Sequence, residues 1–120
     1  GIFYSKGDDS VKLLPAENNH NNTTPIIVNT LHGSGLACLY IIDRMSVRFL
    51  HSDRNGLLRA CKTKSGQYLK VIKEKDGVFH LSCEMTMADS KEPKILSLND
   101  NGNVGFFETN NIKSIKLKPF

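Results

Sequence analysis

The stretch from Gln67 to Cys83, QYLKVIKEKDGVFHLSC, decides how the rest of the chain is read. Its first arm, Gln67 to Lys73, is apolar and β-prone. Lys75-Asp76-Gly77 is a tight polar turn, because glycine supplies the positive φ that hairpin turns need. In the second arm, Val78 to Cys83, residues Phe79, Leu81 and Cys83 share one face and His80 and Ser82 the other. That period of two is the signature of a β-hairpin.

Working outward, the same punctuation recurs. Ile2 to Ser5, a turn at Lys6-Gly7-Asp8-Asp9, and Ser10 to Leu14 predict a first hairpin, ended by Pro15, which has no N–H for a ladder. Residues 16–25, AENNHNNTTP, read as a polar, Asn-rich surface loop. Ile26 to Leu31 is a strand, His32-Gly33-Ser34-Gly35 a turn, and Leu36 to Ile42 a strand apolar on both faces, as a fully buried strand is. Asp43-Arg44 breaks it. Ser46 to His51 alternates, with Val47 and Phe49 on one face. Asn55-Gly56 turns the chain into Leu57 to Lys62. Residues 84–93, with Met85 and Met87, form a short strand or a helical turn. Ile95 to Leu98, Asp100 to Asn103 and Val104 to Glu108 make another hairpin, and Asn110-Asn111 leads into a last strand, Ile112 to Leu117.

Strands at this spacing predict an all-β domain of antiparallel strands linked by short hairpins, either a small barrel or a β-trefoil-like fold. The 120 residues fit one domain, 1–120, with its own core. That core is expected to draw on Ile26, Val28, Leu36, Cys38, Leu39, Ile41, Val47, Phe49, Leu58, Leu69, Val71, Phe79, Leu81, Ile95, Leu98, Val104, Phe106, Ile115 and Leu117. A weak repeat aligns four hairpins on Val11, Val47, Val78 and Val104, at uneven spacings of 36, 31 and 26. Within it, GQYLKVIKEKDG (66–77) resembles the G-x-Y-L…D-G run of trefoil cores such as fascins and fibroblast growth factors. The resemblance covers twelve residues and implies a fold, not a function.

Composition narrows the function classes. With 39% hydrophobic and 23% charged residues the chain is globular in composition. The net charge of +4 permits an anionic partner without requiring one. No apolar run approaches the roughly 18–20 residues of a membrane span. No basic region followed by an apolar block marks a signal peptide, so localisation is unknown. The overlapping sequons at Asn21 and Asn22 matter only in a secreted chain. Cys38, Cys61 and Cys83 have no ligand spacing and read as buried thiols, with one disulfide as the alternative.

The densest charge is in residues 59–75, where Arg59, Lys62, Lys64, Lys70, Lys73 and Lys75 face a single Glu74. If strands 57–62 and 67–73 pair, these side chains gather on one exposed face, extended by Lys113, Lys116 and Lys118. Such a patch binds phosphates or an acidic protein surface; solvated lysines guarding a sheet edge are the plainer alternative. Tyr68 is the sole aromatic among them, which supports no base-stacking platform. His20, His32, His51 and His80 show no metal spacing; His51 and His80, with Arg48 or Lys62, make a nuclease-like set only if their strands are neighbours. Leu31-His32-Gly33-Ser34-Gly35 lacks the rest of a dinucleotide loop, a Walker lysine or a nucleophile elbow. Asp100 to Asn103 lacks the glutamate of a calcium loop. No cofactor or metal is implied. The expected function is a non-catalytic binding module for a protein partner or an anionic ligand, including nucleic acid, with a small basic ribonuclease or toxin-type domain as the alternative.

Overall fold

The computed structural model describes residues 1–15, 22–61, 65–83, 94–107 and 113–118. The Met85 and Met87 segment, His20, Asn21, Lys62, Lys64 and the Asn110-Asn111 turn lie outside the described residues. In chain order the strands are β1 Ile2–Ser5, β2 Ser10–Leu13, β3 Thr23–Pro25, β4 Ile27–Leu31, β5 Leu36–Asp43, β6 Ser46–Ser52, β7 Leu58–Cys61, β8 Leu69–Lys73, β9 Phe79–Cys83, β10 Lys94–Leu98, β11 Val104–Phe106 and β12 Lys113–Ser114. All pairings are antiparallel.

The main sheet runs β11-β10-β9-β8-β5-β6-β7, with β4 beside β5 and β12 beside β10. It curls into a nearly closed barrel. The hairpin at Lys75-Asp76-Gly77 forms as its turn chemistry dictates: Asp76 and Gly77 take φ of 68° and 76°, and β8 pairs with β9. The 16–25 loop expectation needs correction at its end. Thr23–Pro25 is a strand that pairs with β1 in a separate three-stranded sheet. Pro25 sits at the end of that strand, where a missing N–H costs no central ladder bond.

The buried residues form one cluster that includes Tyr4, Val11, Leu39, Ile41, Leu50, Leu58, Leu69, Leu81, Leu96, Val104 and Phe106. Burying each such side chain stabilises the fold by roughly 1.5–3 kcal/mol. One strand faces the core on the opposite phase from the one expected: in β6 Leu50 is buried and Val47 is 55% exposed. In β10 Leu96 is buried, the expected Leu98 packs against the core on the same row, and the expected Ile95 is half-buried. A one-residue shift turns every side chain of a strand over. On β6 the inward row carries Arg48, which lies 3.6 Å from Asp43, and a charge on that row hid it.

The repeat also differs from the four-valine alignment. Hairpins β1–β2, β6–β7 and β10–β11 come together at their second arms. Isolated bridges join Lys12 to Asn103 and Leu57 to Gly105. Val11, Leu58 and Val104 are the matching core residues, at spacings of 47 and 46. Val47 and Val78 instead follow the turns that link β5 to β6 and β8 to β9. The three hairpins belong to one small all-β barrel of antiparallel strands, within the expected architecture.

Candidate functional site

The outer face of the β5–β6 hairpin is apolar toward its turn, while nearer its base Gly66 lies against Cys38 and Phe49 and His51 meets the Ser65 carbonyl. Register pairs Tyr40 with Phe49 and Ile42 with Val47, so these four side chains share one face of the two strands. The Tyr40 and Phe49 rings meet at 6.1 Å between centroids with planes tilted by 58°. Beyond them Ile42 is 51% exposed, Val47 55%, and Met45 at the apex 99%. The expectation that β5 is buried on both faces is therefore corrected. Its inner row, Ala37, Leu39 and Ile41, is core, while the outer row reaches solvent at Ile42. The exposure is confined to the turn end, at Ile42, Met45 and Val47.

The turn that carries Met45 is strained. Arg44 and Met45 both have positive φ, 49° and 68°, in a two-residue loop closed by the Asp43–Ser46 pair. This conformation favours Asn-Gly, and each ordinary side chain in it costs about 1–2 kcal/mol. The flanks hold it in place. Ser46 Oγ donates to the Asp43 carbonyl at 2.8 Å. The Asp43 carboxylate accepts from Lys6 Nζ at 2.6 Å, and that bond holds its carboxyl below the usual range.

Among the described residues Arg59 does not share a face with Lys70, Lys73 and Lys75. Strands β7 and β8 are not neighbours; β6 and β5 lie between them. Arg59 is turned the other way, with Nε 3.2 Å from Asp53 Oδ2 and Nη1 donating to the carbonyls of Asp8 and Asp9. Lys70, Lys73 and Lys75 are exposed along β8 and its turn. Lys73 and Lys75 line an open cleft of about 780 Å³ with Glu74, Asp76, Val78 and Lys116. Glu74 lies 3.9 Å from Lys116, so the cleft is of mixed charge.

The histidines are apart as well. His51 lies on β6 and His80 on β9, with β5 and β8 between. His51 Nε2 meets the Ser65 carbonyl at 2.5 Å. His80 is buried, with Nδ1 at 3.2 Å from the Ile115 carbonyl and Nε2 at 2.5 Å from Glu74 Oε1. That hydrogen bond, ahead of nearby positive charge, lowers the Glu74 carboxyl from its ordinary value. His32 and Ser34 belong to an exposed turn, in which Ser34 Oγ donates to the Leu31 carbonyl. Among the described residues no three His, Cys, Asp or Glu side chains are placed to hold a metal ion, and no helix is long and apolar enough to cross a membrane. Cys38 and Cys83 are buried and Cys61 is half-buried.

Sequence reasoning missed the apolar hairpin face. Its signal was there, in the two-faced hydrophobicity of LYII and a turn lacking glycine, but that pattern is shared by a buried strand. Comparison with known protein families, characterised proteins and solved structures found no match to this chain.

Proposed function

We propose that the protein is a non-catalytic binding module that recognises a protein partner through the β5–β6 hairpin. The observation that carries this is the exposed apolar row Ile42, Met45 and Val47, set on a turn that retains arginine and methionine at two positive-φ positions. Exposed contiguous apolar surface marks interaction sites, methionine adapts to varied apolar partners, and local backbone strain concentrates at such sites. The partner surface is apolar at its centre, because Tyr40, Ile42, Val47 and Phe49 share one face of the hairpin, with Arg44 beside Met45 at its turn. The separation of His51 from His80 gives the ribonuclease alternative no assembled acid–base pair to rest on.

The experiment is affinity capture with the purified protein at low and high salt, with Met45→Asp and the pair Lys70→Glu and Lys73→Glu in parallel. One partner retained at high salt and lost with Met45→Asp supports the hairpin. Capture that salt releases, and that only the lysine pair weakens, transfers the assignment to an anionic ligand.

A further inference from the structure

Among the described residues the barrel is open along one seam. Its staves run in the order β4, β5, β8, β9. The next neighbour is residues 115–118, joined to β9 by the Phe79 N–H to Leu117 carbonyl and Leu117 N–H to Phe79 carbonyl bonds, both 2.9 Å. β4 pairs with β5 on one edge, and among the described residues no strand pairs with its other edge. Between β4 and residues 115–118 lies a largely apolar cavity of about 810 Å³. Its lining reaches the core at Leu39, Leu58 and Leu96, and Gly1 borders it. Protein interiors are close-packed, and unpaired strand edges are normally blunted or covered. A space of this size, open to core leucines between two sheet edges, is shaped for a strand.

The internal repeat says which strand. Hairpin β6–β7 is preceded by stave β5, which lies between β4 and β8. Hairpin β10–β11 is preceded by stave β9, which lies between β8 and residues 115–118. The corresponding stave before hairpin β1–β2 belongs between residues 115–118 and β4, which is where the cavity is.

We infer that this slot receives an extended β-strand leading directly into Gly1, antiparallel to its neighbours and apolar at alternate positions like Ala37, Leu39 and Ile41 of β5. The Gly1 nitrogen already makes a ladder bond to the Leu14 carbonyl at 2.7 Å, and the Leu14 N–H returns one to the Gly1 carbonyl at 2.9 Å. A chain arriving at Gly1 keeps both bonds, since a peptide N–H donates in the same direction as an amine. Occupation closes the sheet and satisfies both edges at once.

The test joins a copy of residues 36–46, the second repeat's own stave and turn, ahead of Gly1 in the full chain. The expected result is a Tm rise of about 10 °C or more, the scale of about two to three kcal/mol in a domain this size. Amide exchange along β4 and residues 116–118 should slow at least tenfold. A control extension carries aspartate at the copies of Ala37, Leu39 and Ile41. Equal Tm and exchange in the two extended proteins would overturn the proposal. The same peptide added unlinked at equimolar concentration is the third arm. Protection matching the joined strand would overturn entry through Gly1 in favour of a strand from another chain.

Discussion

Asp53 and Asn99 occupy the same place in two hairpins 46 residues apart. Asp53 Oδ1 accepts the N–H groups of Asn55 at 2.8 Å and Leu57 at 3.0 Å. Asn99 Oδ1 accepts those of Asn101 and Asn103, both at 3.0 Å. The closing backbone bonds match too, Asp53 N–H to the Leu57 carbonyl at 2.8 Å and Asn99 N–H to the Asn103 carbonyl at 2.9 Å. Asp53 alone adds an ion pair, to Arg59, and Arg59 reaches on to the β1–β2 turn. Asp53 thus ties one repeat to another, whereas the Asn99 bonds lie within its own turn.

Asp53→Ala is therefore expected to cost more than Asn99→Ala. Losing the side-chain acceptor of two backbone N–H groups costs about 1–3 kcal/mol in either hairpin, and only Asp53→Ala also removes the ion pair to Arg59. Asp53→Asn keeps the turn bonds and should recover most of the loss. Urea denaturation of the three variants checks the ranking; equal costs for the two alanine variants would count against the tie through Arg59.

Gly56 and Gly33 separate space from backbone conformation. Both have positive φ, 85° and 76°. A Cβ on Gly33 meets nothing, while one on Gly56 is driven into the backbone carbonyl of Phe106. That carbonyl belongs to the close approach in which Phe106 N–H donates to the Gly56 carbonyl at 2.7 Å. Gly33→Ala should cost about 1–2 kcal/mol for the φ alone. Gly56→Ala should cost a further 1–3 kcal/mol, roughly, for overpacking against backbone. Thermal unfolding of both variants measures the difference.

Tyr4 gives an alkaline signature. Burial, then its hydrogen bond to Asp9 Oδ1 at 2.6 Å, push the phenol from 10.0 up to about 12. The folded state keeps a proton that the unfolded chain releases above pH 10, so Tyr4 stabilises the fold below pH 10 and loses that contribution as pH rises through 12. Tyr4→Phe should be less stable than wild type at pH 8, and the gap should narrow between pH 10 and 12. Denaturant midpoints across that interval test it.

Glu74 gives the opposite limb. Its carboxyl is held below the ordinary 4.5, first by the hydrogen bond from His80. A depressed carboxyl contributes stability above its unfolded value and loses it as pH falls through the folded value. The gap between wild type and Glu74→Gln should be largest above pH 4.5 and shrink below it. A gap that stays constant from pH 6 to pH 3 contradicts the His80 contact.

The β5–β6 turn should trade stability against binding. Replacing Arg44 by Asn and Met45 by Gly supplies the residues that this turn conformation prefers and should raise stability by about 1 kcal/mol or more. The same change removes Met45 from the apolar row and should weaken partner capture at least tenfold. Unchanged capture with raised stability would place the contact elsewhere.

Turn chemistry is local, which is why the hairpins were legible. Asn55-Gly56 and Asp76-Gly77 favour positive φ regardless of what surrounds them, and both turned the chain where expected. Strand phase is not local. In SVRFLHS either row can face inward by hydrophobicity alone, and Arg48 tolerates the inward row because Asp43 is beside it. The repeat was hidden for a related reason. Its matching residues are Val11, Leu58 and Val104, and the leucine of the middle hairpin breaks the valine pattern while keeping the burial.

The sequence by itself determined an all-β chain, the places where it turns, and most of the residues able to fill a core. These follow from periodicity and from the φ preferences of single residues. The tertiary structure decided which hairpins are equivalent, that β7 and β8 lie apart so that Arg59 leaves the basic face, and that the outer row of β5 reaches solvent. Among the described residues it also left the seam between β4 and residues 115–118 open. Each of these depends on pairing between segments distant in the chain, and a strand's two edges carry the same N–H and C=O groups whichever neighbour they meet.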